Sequence, residues 1–97
     1  MRISCVQMDM RLGAPEENFA HAAALLRQAA AMQEKPDVLV LPETWNTGFF
    51  PAQDLADLAD DDGRRVKAEL GALAGELGVN LVAGSVANRR GSRVYNT

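Results

Sequence analysis

Glu43 is the residue that type and spacing single out for chemistry. It follows Val38-Leu39-Val40-Leu41 and Pro42, so a carboxylate stands where a wholly apolar run ends. In an open α/β sheet, ligands bind just beyond the carboxyl ends of the strands, which is where this acid falls. Trp45, Phe49 and Phe50 come next, three of the five aromatic residues of the chain within seven positions. Aromatic walls strip water from a carboxylate and suit it to general-base work. The competing reading makes Glu43 a solvated loop acid and the three rings part of the core. Asn46, Thr47 and Gly48 can turn the chain sharply and offer hydrogen bonds beside the acid.

Other reactive types are placed less suggestively. Cys5 lies inside a β-branched, apolar segment, where a free thiol behaves as a small buried hydrophobe. His21 sits between alanines, with no acid or nucleophile spaced to form a triad with it. Gly84-Ser85 lacks the second glycine of a nucleophile elbow and reads as a strand-end turn. Gly71, Gly75 and Gly78 match no phosphate-loop or dinucleotide spacing. Asp57, Asp60, Asp61 and Asp62 read as a solvated approach to a helix, because a cation site needs a tighter set of oxygen ligands. With one Cys and one His in the chain, an internal disulfide and a Cys/His zinc cluster are excluded. Asn18, at the fourth residue of the first expected helix, reads as a structural tie between the preceding loop and the strand ends.

The elements that must position Glu43 follow from period and punctuation. Ile3 to Met8 reads as a strand ended by Asp9 and the Arg11-Leu12-Gly13 break. Pro15 opens a helix, with Glu16 and Glu17 complementing the positive end of its dipole; Phe19, Ala22, Ala23, Leu26, Ala29 and Ala30 form one thin apolar face, and Lys35-Pro36 ends it. Val38–Leu41 lacks alternation, which predicts an interior, parallel strand. Residues 45–53 read as a loop, 54–59 as a helical turn, and Arg64 to Leu77 as a second helix stopped by Gly78. Val79 to Ala83 is a third strand, Asn88 to Ser92 a polar turn, and Arg93-Val94-Tyr95 the start of a fourth strand. The order is β-α-β-α-β-(β), an α/β arrangement with a parallel sheet and right-handed crossovers. Two Ala-rich helices cannot cover both faces of such a sheet, and the chain stops just after a strand begins, so the expectation is one truncated unit over residues 1–97.

Composition narrows the function classes. Ninety-seven residues leave room for one domain or part of one, and 47% apolar with 24% charged residues is ordinary globular composition. Thirteen acids against ten bases give a net charge of −3 without a basic block, which argues against nucleic acid or an anionic membrane as partner. There is no signal-peptide pattern and no apolar run of the roughly 18 residues a membrane span needs. A cytoplasmic location is expected. A small flavodoxin-like binding module is the alternative from another class, since it would use the same strand ends without covalent chemistry.

Ile3-Ser4-Cys5-Val6-Gln7-Met8-Asp9, Asn18, the run Leu41-Pro42-Glu43-Thr44-Trp45-Asn46-Thr47-Gly48-Phe49, Val82-Ala83-Gly84-Ser85 and Val94-Tyr95-Asn96-Thr97 together resemble the carbon–nitrogen hydrolase (nitrilase) superfamily. Within it the chain most resembles ω-amidases acting on 2-oxo-acid ω-amides such as 2-oxoglutaramate; another amidase, a carbamoyl hydrolase or a nitrilase is the alternative. The resemblance covers the whole chain but only the N-terminal part of a usual member. It implies a four-layer α-β-β-α sandwich, a Glu-Lys-Cys catalytic group, no cofactor and no metal, a small-molecule amide substrate, and a homo-oligomeric full-length protein. Glu43 matches the family's Glu, while the Lys and the nucleophilic Cys fall beyond Thr97. Trp45 and Phe49 are expected to wall the substrate pocket.

Overall fold

In the computed structural model, residues 1–49 and 54–97 are described; Phe50 and the rest of the expected loop to residue 53 lie outside the described residues. The chain forms β1 (Ile3–Cys5), α1 (Pro15–Ala30), β2 (Val38–Val40), α2 (Leu55–Leu58), β3 (Asp60–Asp61), a π-helical turn (Val66–Leu70) running into α3 (Gly71–Leu77), β4 (Asn80–Val82), β5 (Ala87–Arg90) and β6 (Arg93–Asn96). It is an α/β fold with two three-stranded sheets. One is wholly parallel in the order β1-β2-β4; the other is mixed, with β3 parallel and β6 antiparallel to the central β5.

Local chemistry accounts for the helices. Pro15 occupies the first turn of α1 together with Glu16 and Glu17, and Arg27 sits in the last turn, each charge complementing its end of the dipole. The helix stops at Ala30, short of Lys35-Pro36: Met32 just beyond is 59% exposed, so further turns would have no apolar face to bury. Asp54 caps α2, accepting a bond from the Ala56 N–H at 3.0 Å. Gly78, with φ +65°, closes α3 in the left-handed conformation that a side chain resists.

The parallel sheet buries one face. Leu39, with no exposed surface, and Leu41 pack with Phe19, Ala22 and Leu26 of α1 and with Leu70 and Leu73 of the second helical segment. Successive strand side chains point to opposite sides, so the other face carries the row Cys5–Val40–Val82 and, one step earlier, Ile3 beside Val38. Ile3 is 61% and Val82 51% exposed, and Val38 and Val40 are half-buried. Cys5 shares that face. Its thiol is exposed, because it belongs to the face of β1 that the helices do not cover.

Two further expectations fail for long-range reasons. Asn88 to Ser92 is not a polar turn: Ala87–Arg90 is the central strand of the mixed sheet, and the chain reverses only at Gly91-Ser92, with Gly91 at φ +62°. Its polar residues are matched by the neighbouring acids, Arg89 with Asp61 at 3.5 Å and Arg90 with Asp62 at 3.4 Å. Asp60 is not solvated either. It is 7% exposed, and its two carboxylate oxygens accept the Arg65 and Val66 N–H groups at 3.0 and 2.9 Å, a cap on the helical segment that follows.

Candidate active site

The turn after β2 is built so that its buried part fixes the direction of an exposed acid. Leu41 continues the parallel pairing, its N–H donating to the Val82 carbonyl at 2.9 Å. The chain then leaves the sheet at Pro42. Thr44, Trp45, Asn46, Thr47 and Gly48 are all buried, whereas Glu43 before them and Phe49 after them are exposed. Thr44 has φ +47°, a left-handed backbone that a β-branched residue adopts only when its surroundings impose it.

Those surroundings are specific. The Thr44 N–H donates to the Ser85 hydroxyl at 3.1 Å, and the Thr44 carbonyl accepts the Gly48 N–H at 2.9 Å. Asn18 Nδ2 donates to the Asn46 carbonyl and to the Arg11 carbonyl, both at 2.9 Å, while its Oδ1 accepts the Arg11 N–H at 2.8 Å. This is the structural tie expected of that residue, and Asn18 is 2% exposed. The Thr47 carbonyl accepts the Gly13 N–H at 2.9 Å, closing the same tie from the other side. Gly84, which the sequence reads as part of a strand-end turn, has φ +60° and lies so close to the Leu41 and Pro42 carbonyls that a Cβ there would meet them at 2.6 and 2.1 Å.

The expectation that Trp45 walls a pocket is corrected. Its ring has no exposed surface and stands edge-on to Phe19, with centroids 4.6 Å apart and planes at 65°. The indole Nε1–H donates to the Ala83 carbonyl at 2.8 Å, satisfying the one polar atom the ring carries inward. Trp45 enters the core directly after the left-handed Thr44. Above Phe19, the Arg65 guanidinium lies 4.0 Å from the ring centroid and is held there by Glu16 and Glu69. The hydrogen bond from Arg65 to the fully exposed Glu16, with their charge attraction, lowers the Glu16 carboxyl below its ordinary pKa.

Glu43 itself stands at the surface. Its carboxylate is exposed, and its Oε1 accepts a hydrogen bond from Asn96 Nδ2 at 2.7 Å. A cleft of about 220 Å³ adjoins Asn96, lined by Thr44, Thr47, Phe49, Val94, Tyr95 and Asn96 among others; Glu43 does not itself line it, and Phe49 is 54% exposed. The Thr44 Oγ1 is buried without a hydrogen-bond partner among the described residues. A wider concavity of about 660 Å³ lies beyond Tyr95 and Asn96, toward Asp62 and Lys67, away from the turn that carries Glu43. Asn96, the hydrogen-bond partner of Glu43, lines both concavities, but only the smaller one is also lined by the turn, through Thr44, Thr47 and Gly48, and it is the relevant one. Among the described residues no group of three or more His, Cys, Asp or Glu is arranged to hold a metal ion, and no helix is long and apolar enough to cross a membrane.

Sequence reasoning passed over Ser85 and Asn96 as individual residues. Their signal is only a small polar side chain at a strand end, and it acquires meaning when the sheet brings residues 41 and 53 positions apart together. The arrangement supplies one carboxylate, carried on a buried turn and steadied by an amide.

The sequence matches the model of the carbon-nitrogen hydrolase family over residues 2–97. It is 46% identical over 95 residues to the 2-oxoglutaramate amidase of Bacillus subtilis (strain 168), covering 98% of this chain and 35% of that protein. It is 34% identical over 85 residues to an omega-amidase of Danio rerio, covering 84% of this chain and 28% of the relative. The fold superposes on the crystal structure of XC1258 from Xanthomonas campestris, a CN-hydrolase superfamily protein with an arsenic adduct in its active site. The TM-score is 0.79 at 34% identity, over 98% of this chain and 34% of that one. The chain thus spans about a third of the length of these relatives.

Proposed function

The chain belongs to the carbon-nitrogen hydrolase family, and from that membership we propose that it is the N-terminal segment of a single catalytic domain that hydrolyses small-molecule amides with Glu43 as general base. The observation that carries this reading is the buried turn from Thr44 to Gly48, which holds one exposed carboxylate at the carboxyl end of a parallel sheet. In the reaction, a cysteine supplied C-terminal to Thr97 is the nucleophile. Glu43 takes the thiol proton as sulfur attacks the amide carbon, and a lysine from the same later segment stabilises the oxyanion. Glu43 then passes the proton to the leaving nitrogen, so ammonia departs and a thioester remains. Finally Glu43 takes a proton from water, hydroxide adds to the thioester, and the proton returns to the departing sulfur.

Two features support the wider architecture. The uncovered face with Ile3, Cys5 and Val82 is apolar enough to seat a second sheet, which would complete a four-layer α-β-β-α sandwich. The structural relative, a CN-hydrolase superfamily protein with an arsenic adduct in its active site, superposes over 98% of this chain. The full-length protein is proposed to be a cytoplasmic homo-oligomer. In this reading substrate contact falls to Phe49, which lines the cleft, and a supporting role to Trp45, which is buried beneath the turn.

The substrate we propose is the ω-amide of a short 2-oxo acid, 2-oxoglutaramate above all, as the named activity of the Bacillus relative suggests. Ammonia release by the full-length protein should be at least about tenfold faster in kcat/KM with 2-oxoglutaramate than with glutamine, a carbamoylated amine or an aliphatic nitrile, a gap of about 1.4 kcal/mol in transition-state binding. Faster turnover of the nitrile or the carbamoyl compound would reassign the substrate class and leave the family chemistry in place.

A further inference from the structure

The carboxylate of Glu43 has a partner whose own position is set by the turn that carries Glu43. Val86 and Thr97 exchange both backbone hydrogen bonds, at 2.8 and 3.0 Å, so the next pair, Ala87 and Asn96, falls at a position where an antiparallel ladder makes none. The N–H and C=O of Ala87 therefore point away from β6. The Asn46 side chain takes both: its Oδ1 accepts the Ala87 N–H at 2.9 Å, and its Nδ2 donates to the Ala87 carbonyl at 3.1 Å. A buried amide thus imitates the edge of a neighbouring strand and clamps β5 at the residue opposite Asn96. From Asn96, Nδ2 reaches back to Glu43 Oε1 at 2.7 Å. The circuit from Glu43 through Asn46, Ala87 and Asn96 back to Glu43 closes within one turn and one strand pair.

We propose that Asn96 is a positioning residue for Glu43: its amide fixes one carboxylate oxygen and thereby presents the other to the proton it must accept. The inference rests on the assignment of Glu43 as the base. The buried turn sets where the Glu43 side chain leaves the backbone, but the exposed side chain beyond that point has three rotatable bonds that the turn alone does not fix. A neutral amide suits the task better than a cation would. It donates to Oε1 without gaining or losing a proton itself, so Oε2 keeps its lone pairs for the chemistry. A hydrogen bond between exposed groups contributes little to folding, so losing it should register in turnover rather than in stability.

In the full-length protein, Asn96→Ala should lower kcat for amide hydrolysis by about 10- to 100-fold and leave KM within about twofold, the size of effect expected when a reacting group is misaimed by about an ångström. Asn96→Asp, which keeps the side chain's shape but replaces the donor with a negative charge, should lose at least as much; it carries the test if the alanine variant fails to fold. In a Glu43→Asp background, where the shortened acid no longer reaches Asn96, Asn96→Ala should add less than about a threefold loss, because two residues acting through one contact do not have additive effects. An Asn96→Asp variant with kcat within about threefold of the parent, or an equal loss from Asn96→Ala in both backgrounds, overturns the positioning role. If at the same time Glu43→Gln is inactive, the base assignment survives and only the role of Asn96 falls. If Glu43→Gln retains full activity, both fall.

Discussion

Glu43→Gln in the full-length protein is expected to lower kcat for amide hydrolysis by about 10³-fold or more, within the span a positioned general acid–base contributes. Glutamine keeps the length and shape of the side chain, and its Oε1 still accepts the Asn96 Nδ2–H bond seen at 2.7 Å. What it loses is the ability to carry a proton, which the proposed reaction requires at thiol attack, at ammonia departure and at hydrolysis of the thioester. Folding should be unaffected, since the carboxylate is exposed and the turn below is held by Asn18, Asn46 and Ser85. Thermal unfolding coincident with the parent, together with the loss of ammonia release, would place the defect in chemistry. Retention of more than about a tenth of parental kcat would remove Glu43 from the proton path, because a base contributing less than about 1.4 kcal/mol is not the principal one.

Gly84→Ala is expected to be the most damaging single-methyl change in the described chain. The new Cβ would sit 2.1 Å from the Pro42 carbonyl oxygen and 2.6 Å from that of Leu41, at a residue with φ +60°. Neither neighbour is a flexible side chain that can swing aside. Relief requires parting the loop after β4 from the end of β2, which breaks the Leu41–Val82 and Thr44–Ser85 hydrogen bonds and releases the Glu43 turn. The combined backbone strain and overpacking should cost about 4 kcal/mol or more, a large share of the net stability of a folded domain. Gly91→Ala supplies the control, because Gly91 has φ +62° and no atom within 4 Å of the added Cβ. It should cost only about 1 kcal/mol, the conformational part alone. Denaturant unfolding of the two variants separates strain from collision, and equal costs would show that the contact between Gly84 and the Glu43 turn is not tight.

The parts of this fold that the sequence exposes are those decided locally. Pro15 with its following acids marks a helix start, Gly78 a stop, and the unbroken apolar run Val38–Leu41 a strand of the parallel sheet. Glu43 is recognisable as a candidate because it follows that run. The direction of Trp45 is not, because it follows a left-handed Thr44 (φ +47°) whose N–H is held by Ser85, far along the chain. The strand Ala87–Arg90 is hidden for the same kind of reason. Its polarity resembles a turn until Asp61 and Asp62 are brought beside it, and Asn88 acquires a role only when its Oδ1 meets the Gly63 N–H at 2.8 Å. Cys5 stands in an apolar segment, yet its exposure follows from which face of β1 the helices cover. Pairing and layering, rather than propensity, govern each of these residues.

The central claim is that the rim of the parallel sheet delivers Glu43 to a sulfur nucleophile. A crystal structure of the full-length protein tests it by measuring the distance from the Glu43 carboxylate to the nearest cysteine Sγ. The account predicts a cysteine C-terminal to Thr97 with its sulfur about 3–4 Å from Glu43, within reach of direct proton transfer in the resting enzyme. A Glu43 carboxylate packed against the added chain with no thiol near it would contradict the account.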